Sequence, residues 1–151
     1  MSKNAFRVWT LLASLLILAG CASGPKFNTV EASMPALAKD KARVFFYRAT
    51  SLGAAIQPDV RMNGTVIGKA VPLGVYFADT DPGNIEIATS TEVERKLTFS
   101  IGASETRYVR LNISLGLLVG RVAPELVDEK EARMEIVDLA FLPNRGLEGA
   151  K

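Results

Sequence analysis

From Ala42 onward the apolar positions of this chain fall into short runs separated by turn-forming residues, and each run carries its own period. Ala42-Arg43-Val44-Phe45-Phe46-Tyr47-Arg48 is rich in β-branched and aromatic residues and apolar on both faces, the pattern of a central strand. A polar loop with Gly53 and Pro58 follows. Asp59 to Met62 and Thr65 to Lys69 flank Asn63-Gly64, two residues that both tolerate positive φ, and so predict a hairpin closed by a two-residue turn. Leu73 to Ala78 predicts a further strand. Asp81-Pro82-Gly83 then predicts a tight turn, with proline fixing φ and glycine supplying a left-handed position.

Beyond that turn the alternation becomes cleaner. Ile85 and Ile87 oppose Glu86; Leu97, Phe99 and Ile101 oppose Lys96, Thr98 and Ser100; Val109, Leu111, Ile113 and Leu115 oppose Arg110, Asn112 and Ser114. A period of two means one buried and one wet face, which two packed antiparallel sheets require. The expected fold is therefore mainly β, an antiparallel sandwich of about 7–8 strands over residues 42–142 with a short C-terminal helix. For that helix, Asp128 and Glu131 fit a capping arrangement, Ala132, Ile136, Leu139 and Ala140 recur at helical spacing, and Pro143 ends it. A strand from Met134 to Leu139 fits the same residues. Residues 143–151 form a tail.

The N-terminal segment has another character. Lys3 and Arg7 precede an apolar run of eleven residues, Val8 to Leu18, where a membrane span needs about 20. Basic flank and short apolar run together predict a secretory signal over residues 1–20. It closes on Leu18-Ala19-Gly20-Cys21, which holds the only cysteine and resembles the lipobox of bacterial lipoproteins. The resemblance implies cleavage between Gly20 and Cys21, a diacylglyceryl group on the Cys21 sulfur and acylation of its amine, and two or three chains on one residue make a durable anchor. With Ala22 rather than aspartate after the cysteine, it also implies the periplasmic face of the outer membrane over the inner membrane. Residues 21–41, with Gly24, Pro25 and Pro35, are expected to be a lipidated tether. The alternative is a short helix in which Met34, Leu37 and Ala38 pack on the domain.

Composition narrows the chemistry. Removing residues 1–20 leaves 131 residues, enough for one domain, and takes away Lys3 and Arg7, so the formal charge falls from +2 to zero. Sixteen basic and sixteen acidic side chains are then interspersed, which gives nucleic acid no basic stripe to bind. The chain has no histidine, so no Ser-His-Asp or Cys-His nucleophile system can be assembled and no Cys/His zinc site is available. With Cys21 acylated no thiol remains. No phosphate-cradling or metal motif occurs, and neither a metal nor a cofactor is expected.

Three further pieces belong together: Ala42 to Arg48; Asn63-Gly64 with Ile67-Gly68; and Gly74-Val75-Tyr76-Phe77 leading into Asp81-Pro82-Gly83-Asn84. With the Tyr108-Val109 strand, this order resembles the bacterial lipoprotein family filed as domain of unknown function 2846, over Ala42 to about Leu139. It is also similar to the small PEGA-type β-sandwich modules of bacterial envelope proteins. The resemblance implies a fold and carries over no catalytic residue.

Several side chains are candidates for a site. Tyr47, Tyr76 and Tyr108 with Arg48, Arg107 and Arg110 could form an aromatic and cationic patch for glycan or peptide; half-buried tyrosines and solvated arginines explain them as well. Asp79 and Asp81 could hold calcium or simply make the turn. Leu115 to Gly120 is an apolar, glycine-punctuated segment that reads either as strand and bend or as an exposed contact loop. The reading of the whole is a non-enzymatic envelope module, bound to the membrane through its lipid and meeting an envelope protein or peptidoglycan. Its rivals are a histidine-free enzyme with a carboxylate pair acting on envelope glycan, and a subunit of an envelope assembly. Replacing Cys21 with serine should abolish processing and release the protein from the membrane fraction; a variant processed and sedimenting like the wild type contradicts the lipobox reading.

Overall fold

A computed structural model describes residues 22–114 and 120–143. Its elements are α1 (Phe27–Val30), continued by a 3-10 turn at Glu31–Ser33; β1 (Ala42–Arg48); β2 (Asp59–Met62); β3 (Thr65–Lys69); β4 (Gly74–Thr80); β5 (Gly83–Ser90); β6 (Glu94–Ile101); β7 (Thr106–Ser114); β8 (Arg121–Val127); α2 (Glu129–Ile136); and β9 (Ala140–Phe141). One sheet has the order β8-β7-β1-β4-β9 and the other β3-β2-β5-β6. The chain is thus mainly β, two packed sheets with a short helix, and the two-residue β9 brings the strands among the described residues to nine.

All seven residues of β1 are buried, because both its faces are covered. Ala42, Val44 and Phe46 point between the sheets, where they meet Val60, Ile85, Ile87, Ile101, Val109, Leu111 and Val122. Phe45 and Tyr47 point the other way, into a second core with Val75, Tyr108, Val127, Ala132, Ile136 and Leu139 under α2. An apolar run of period one is what such a doubly covered strand requires.

The sandwich is mixed rather than wholly antiparallel. β1 pairs antiparallel with β4 but parallel with β7, and β4 pairs parallel with β9. The reason lies in the route: after β4 the chain crosses at Asp81-Pro82 to build β5 and β6 in the other sheet, and it returns beside β1 running in the same direction. On the outer edge, β8 tolerates Pro124 because an edge strand has donors to spare. Thr89 in β5 is buried, and its hydroxyl donates to the Val122 carbonyl at 2.6 Å, joining the two sheets along that side.

Of residues 128–140, read as helix or strand, Glu129–Ile136 are helical, and the helix ends before Leu139. Asp128 is the N-cap and its carboxylate accepts from the Glu131 amide at 3.0 Å, while Ala132 and Ile136 face the core. Ala140 has already left the helix for β9. Residues 22–34, expected within the tether, lie on the domain. The Ala22 amide donates to the Pro72 carbonyl at 2.9 Å, the Phe141 amide to Pro25 at 2.7 Å, and the Phe27 amide to Leu139 at 2.8 Å. Phe27 is buried and meets Phe45 edge-on at 5.7 Å. One buried ring in a stretch without periodicity gives a sequence pattern nothing to detect. Met34 packs on the helix-side core as the alternative reading had it, yet the short helix lies at Phe27–Val30, and Ala38 is exposed.

The hairpin forms at the expected residues, with Met62 paired to Thr65, Asn63 at φ 49° and Gly64 at φ 83°. Nothing lies within 4 Å of where a Gly64 Cβ would be, so a side chain there meets only backbone strain. Gly64→Val should lower unfolding stability by about 1–2 kcal/mol without changing the fold, measured by urea denaturation. An unchanged midpoint contradicts the turn.

A buried arginine and an ionic seam in place of a surface patch

The tyrosines and arginines proposed as one patch are distributed by strand alternation over different faces. Tyr47 and Arg48 are neighbours in β1 and so point to opposite sides of the sheet. Tyr76 lies between the sheets and stacks on Phe46, with ring centroids 5.4 Å apart. Its ring rests on the backbone of β3 at Gly68, where a Cβ would come within 2.8 Å of it, and this close approach accounts for the Ile67-Gly68 step. The fully buried Tyr76 hydroxyl has no hydrogen-bond partner among the described residues, and burial pushes its pKa up. Tyr108 stacks on Phe45 at 5.3 Å on the helix side. The structure therefore brings Tyr47 and Tyr108 to one core and leaves Tyr76 and Arg48 apart from them.

Arg48 is fully buried, not solvated. Nη1 donates to the carbonyls of Ile56 at 2.7 Å and Ala70 at 3.0 Å; Nη2 donates to Gly53 at 2.9 Å and to Leu52. The guanidinium thus fastens the 49–58 loop onto the connection between β3 and β4, using backbone oxygens only. Burial pulls its pKa below the ordinary arginine value, and the four carbonyl dipoles are what keep the cation there. Arginine is the residue for this task, since its planar fork presents donors in fixed directions.

On the other side of the sheet, Arg110 of β7 collects three carboxylates across the seam with β8 and α2. Nη1 donates to Glu131 and Glu135 at 2.7 Å each, and Nη2 to Glu125 at 3.2 Å. Burial works against its charge, but the hydrogen bonds to Glu131, Glu125 and Glu135 outweigh it and raise the pKa. Asn112 also donates to Glu125. The Tyr47 hydroxyl donates to Glu135 at 2.6 Å, which completes a network from the core strand to the helix. Beside it, Arg133 bridges Glu129 at 2.9 Å and Glu31 at 2.6 Å, tying α2 to the docked N-terminal segment. Arg107 lies outside this network, in contact with Glu105 at 3.2 Å, and with Tyr108, Leu126 and Glu129 it lines an open groove of about 320 Å3.

The two aspartates beside the turn do not converge on a common point. Asp79 takes both Nε and Nη2 of Arg43, at 2.6 and 2.8 Å, and Asp81 takes Lys41 at 2.7 Å. Among the described residues, no group of three or more Asp, Glu, Cys or His side chains is placed to hold a metal. Gly20 and Cys21, the lipobox positions, lie outside the described residues, as do 115–119; Gly120 is buried, and a Cβ there would come within 2.7 Å of Ile56. Sequence reasoning missed Arg48 as a buried ligand of carbonyls and Arg110 as the centre of a carboxylate cluster. The signal for the second was present: β7 alternates, so Arg110 shares the face of Tyr108, the face that the following helix covers.

Two packed sheets, one of them roofed by a helix, define a small β-sandwich domain with an ionic seam. Residues 38–122 match the family described as "Protein of unknown function (DUF2846)", more than half of the chain, and the protein belongs to that family. It is similar to an uncharacterized protein of Haemophilus influenzae, 22% identical over 142 residues, which cover 91% of this chain and 84% of the relative. No solved structure matches it.

The three buried tyrosines make stability depend on alkaline pH. For Tyr47, burial and then the hydrogen bond to Glu135 raise the phenol pKa; burial raises those of Tyr76 and Tyr108 too. A group whose folded pKa lies above its unfolded value, about 10 for tyrosine, contributes stability that is present below pH 10 and lost as pH rises beyond it. Urea midpoints should therefore fall steeply between about pH 9.5 and 11. Tyr47→Phe should cost about 1 kcal/mol at pH 8 and show a shallower alkaline fall. Parallel pH curves for the two proteins contradict this reading of Tyr47.

Proposed function

We propose that the protein is a lipid-anchored component of the bacterial cell envelope, held on the periplasmic side of the outer membrane, that acts as a non-catalytic binding or structural module. The observation that carries the reading is the Leu18-Ala19-Gly20-Cys21 sequence, which places the only cysteine at the end of a signal-like segment. The arrangement of the domain's charges supports it. Glu125, Glu131 and Glu135 are gathered on Arg110, Asp79 on Arg43 and Asp81 on Lys41, so these acids serve the internal cohesion of the domain. With no histidine in the chain, nucleophile activation through an imidazole is closed to it. The partner class is an envelope protein or peptidoglycan, met through the folded surface while the acyl chains hold the membrane.

Purified protein incubated with peptidoglycan, ester and phosphoester substrates should give no turnover above the buffer rate. Turnover that is abolished by Glu131→Gln or Glu135→Gln would instead establish the carboxylate enzyme. Crosslinking in intact envelopes followed by affinity capture should recover a defined partner with the wild type, and lose it with Cys21→Ser.

A further inference from the structure

The lipid-bearing residue of the proposed anchor has no tether between it and the fold. Ala22, the next residue, is held by its amide on the Pro72 carbonyl at 2.9 Å, and Gly24 to Phe27 continue along β9. Ala22 thus lies at the corner made by the β3–β4 connection and Leu142, and consecutive Cα atoms are only about 3.8 Å apart. The strand registers identify what shares that end. Arg48, which closes β1, pairs with Gly74, which opens β4, so the 49–58 loop lies there too, fastened to Ala70 by the Arg48 guanidinium.

The segments that meet at this corner are uncharged apart from the buried Arg48: Ala22-Ser23-Gly24-Pro25, Ala49 to Pro58, Ala70 to Gly74, and Leu142-Pro143. Leu52 is 57% exposed, the exposed Ala55 stands three residues away, and Val71, Leu73 and Leu142 are half-buried. Around it stand the pairs Lys26–Asp138 at 2.8 Å, Lys69–Asp59 at 2.7 Å and Arg121–Glu92 at 3.4 Å, and the β5–β6 hairpin at the same end of the sandwich adds Glu94 and Arg95. The opposite end, about 20 Å away along the seven residues of β4, is built from Lys39, Asp40, Lys41, Asp79, Asp81 and Glu105.

We propose that this uncharged corner is a membrane-contact surface: the acylated Cys21 holds the domain close on the bilayer, with the Leu52 loop and the Val71–Leu73 corner in the headgroup layer and the Lys41–Asp81 end facing away. This rests on the lipid-anchor reading above and adds an orientation to it. A flexible tether would let the domain tumble, whereas an attachment point docked on the fold fixes which surface meets lipid. An apolar, charge-free surface at that point enters the interface at little desolvation cost, and the charged end does not.

The mature chain contains no tryptophan, because the only one is Trp9, so single reporters can be placed cleanly. Leu52→Trp and Ala55→Trp report the proposed contact and Asp81→Trp the far end. The protein, purified with its acyl groups from the bacterial membrane, is reconstituted into phosphatidylethanolamine–phosphatidylglycerol vesicles containing lipids brominated on their acyl chains. Both near reporters should be quenched severalfold more than Asp81→Trp and should emit to the blue of it. Equal or absent quenching at all three positions, in protein whose intact mass carries the acyl groups and which floats with the vesicles, overturns the orientation and leaves the anchor standing. Protein that lacks acyl groups and stays in the aqueous phase overturns the anchor reading, and the orientation with it.

Discussion

A guanidinium removed from water must find acceptors for its donors, and Arg48 finds them for Nη1 and Nη2 in four backbone carbonyls of one end of the sandwich, its buried Nε alone having no partner among the described residues. The carbonyls of Leu52, Gly53, Ile56 and Ala70 belong to segments without a sheet ladder of their own, so the arginine is the common partner that gives them a defined place. From that fixture follow the close contacts of Gly53 and Gly120 with the Ile113 side chain, and a β3–β4 connection positioned to accept the Ala22 amide. The arrangement needs the charge, the planar fork and complete burial together, which is why a lysine or a methionine in its place would leave carbonyls unpaired in the interior.

The same strand carries the rest of the architecture on its two faces. Val44 and Phe46 build the core between the sheets, while Phe45 and Tyr47 build the core under α2, and Tyr47 passes its hydroxyl to Glu135 and thence to Arg110. The helix is therefore attached in two ways, by Ala132 and Ile136 in the apolar core and by carboxylates shared with β7 and β8. The ionic part adds direction more than strength, since partly exposed pairs contribute modestly and are screened by salt. It fixes which turn of the helix lies over which strand, and Arg133 extends the same registry to Glu31 in the docked N-terminal segment.

How much of this the sequence displays depends on whether the relevant interaction is local. The hairpin at Asn63-Gly64 was legible because turn chemistry resides in the two residues themselves, and the helix because its cap, Asp128, lies three residues from its partner amide. Alternation in β5, β6 and β7 announced buried faces correctly. Parallel pairing of β1 with β7 was not legible, since it is set by the path through the second sheet and not by either strand's pattern. The docking of Phe27 depends on a single ring meeting Phe45 and Phe141, with no period to reveal it. For the candidate site, alternation within β1 already separated Tyr47 from Arg48, yet nothing in the sequence tells a buried arginine serving carbonyls from a solvated one at a strand end. The family match spans residues 38–122 and brings no activity with it.

The most direct test of this account is the unfolding free energy of Arg48→Lys and Arg48→Met, measured by urea denaturation alongside limited proteolysis of the native protein. If Arg48 organises the end of the sandwich, both variants lose more than about 2 kcal/mol, lysine failing as well as methionine, and cleavage appears within residues 49–58 under conditions where the wild type is resistant. Variants within about 0.5 kcal/mol of the wild type, with that loop still protected, would show that the carbonyl cluster is held by other means and that Arg48 is not its centre.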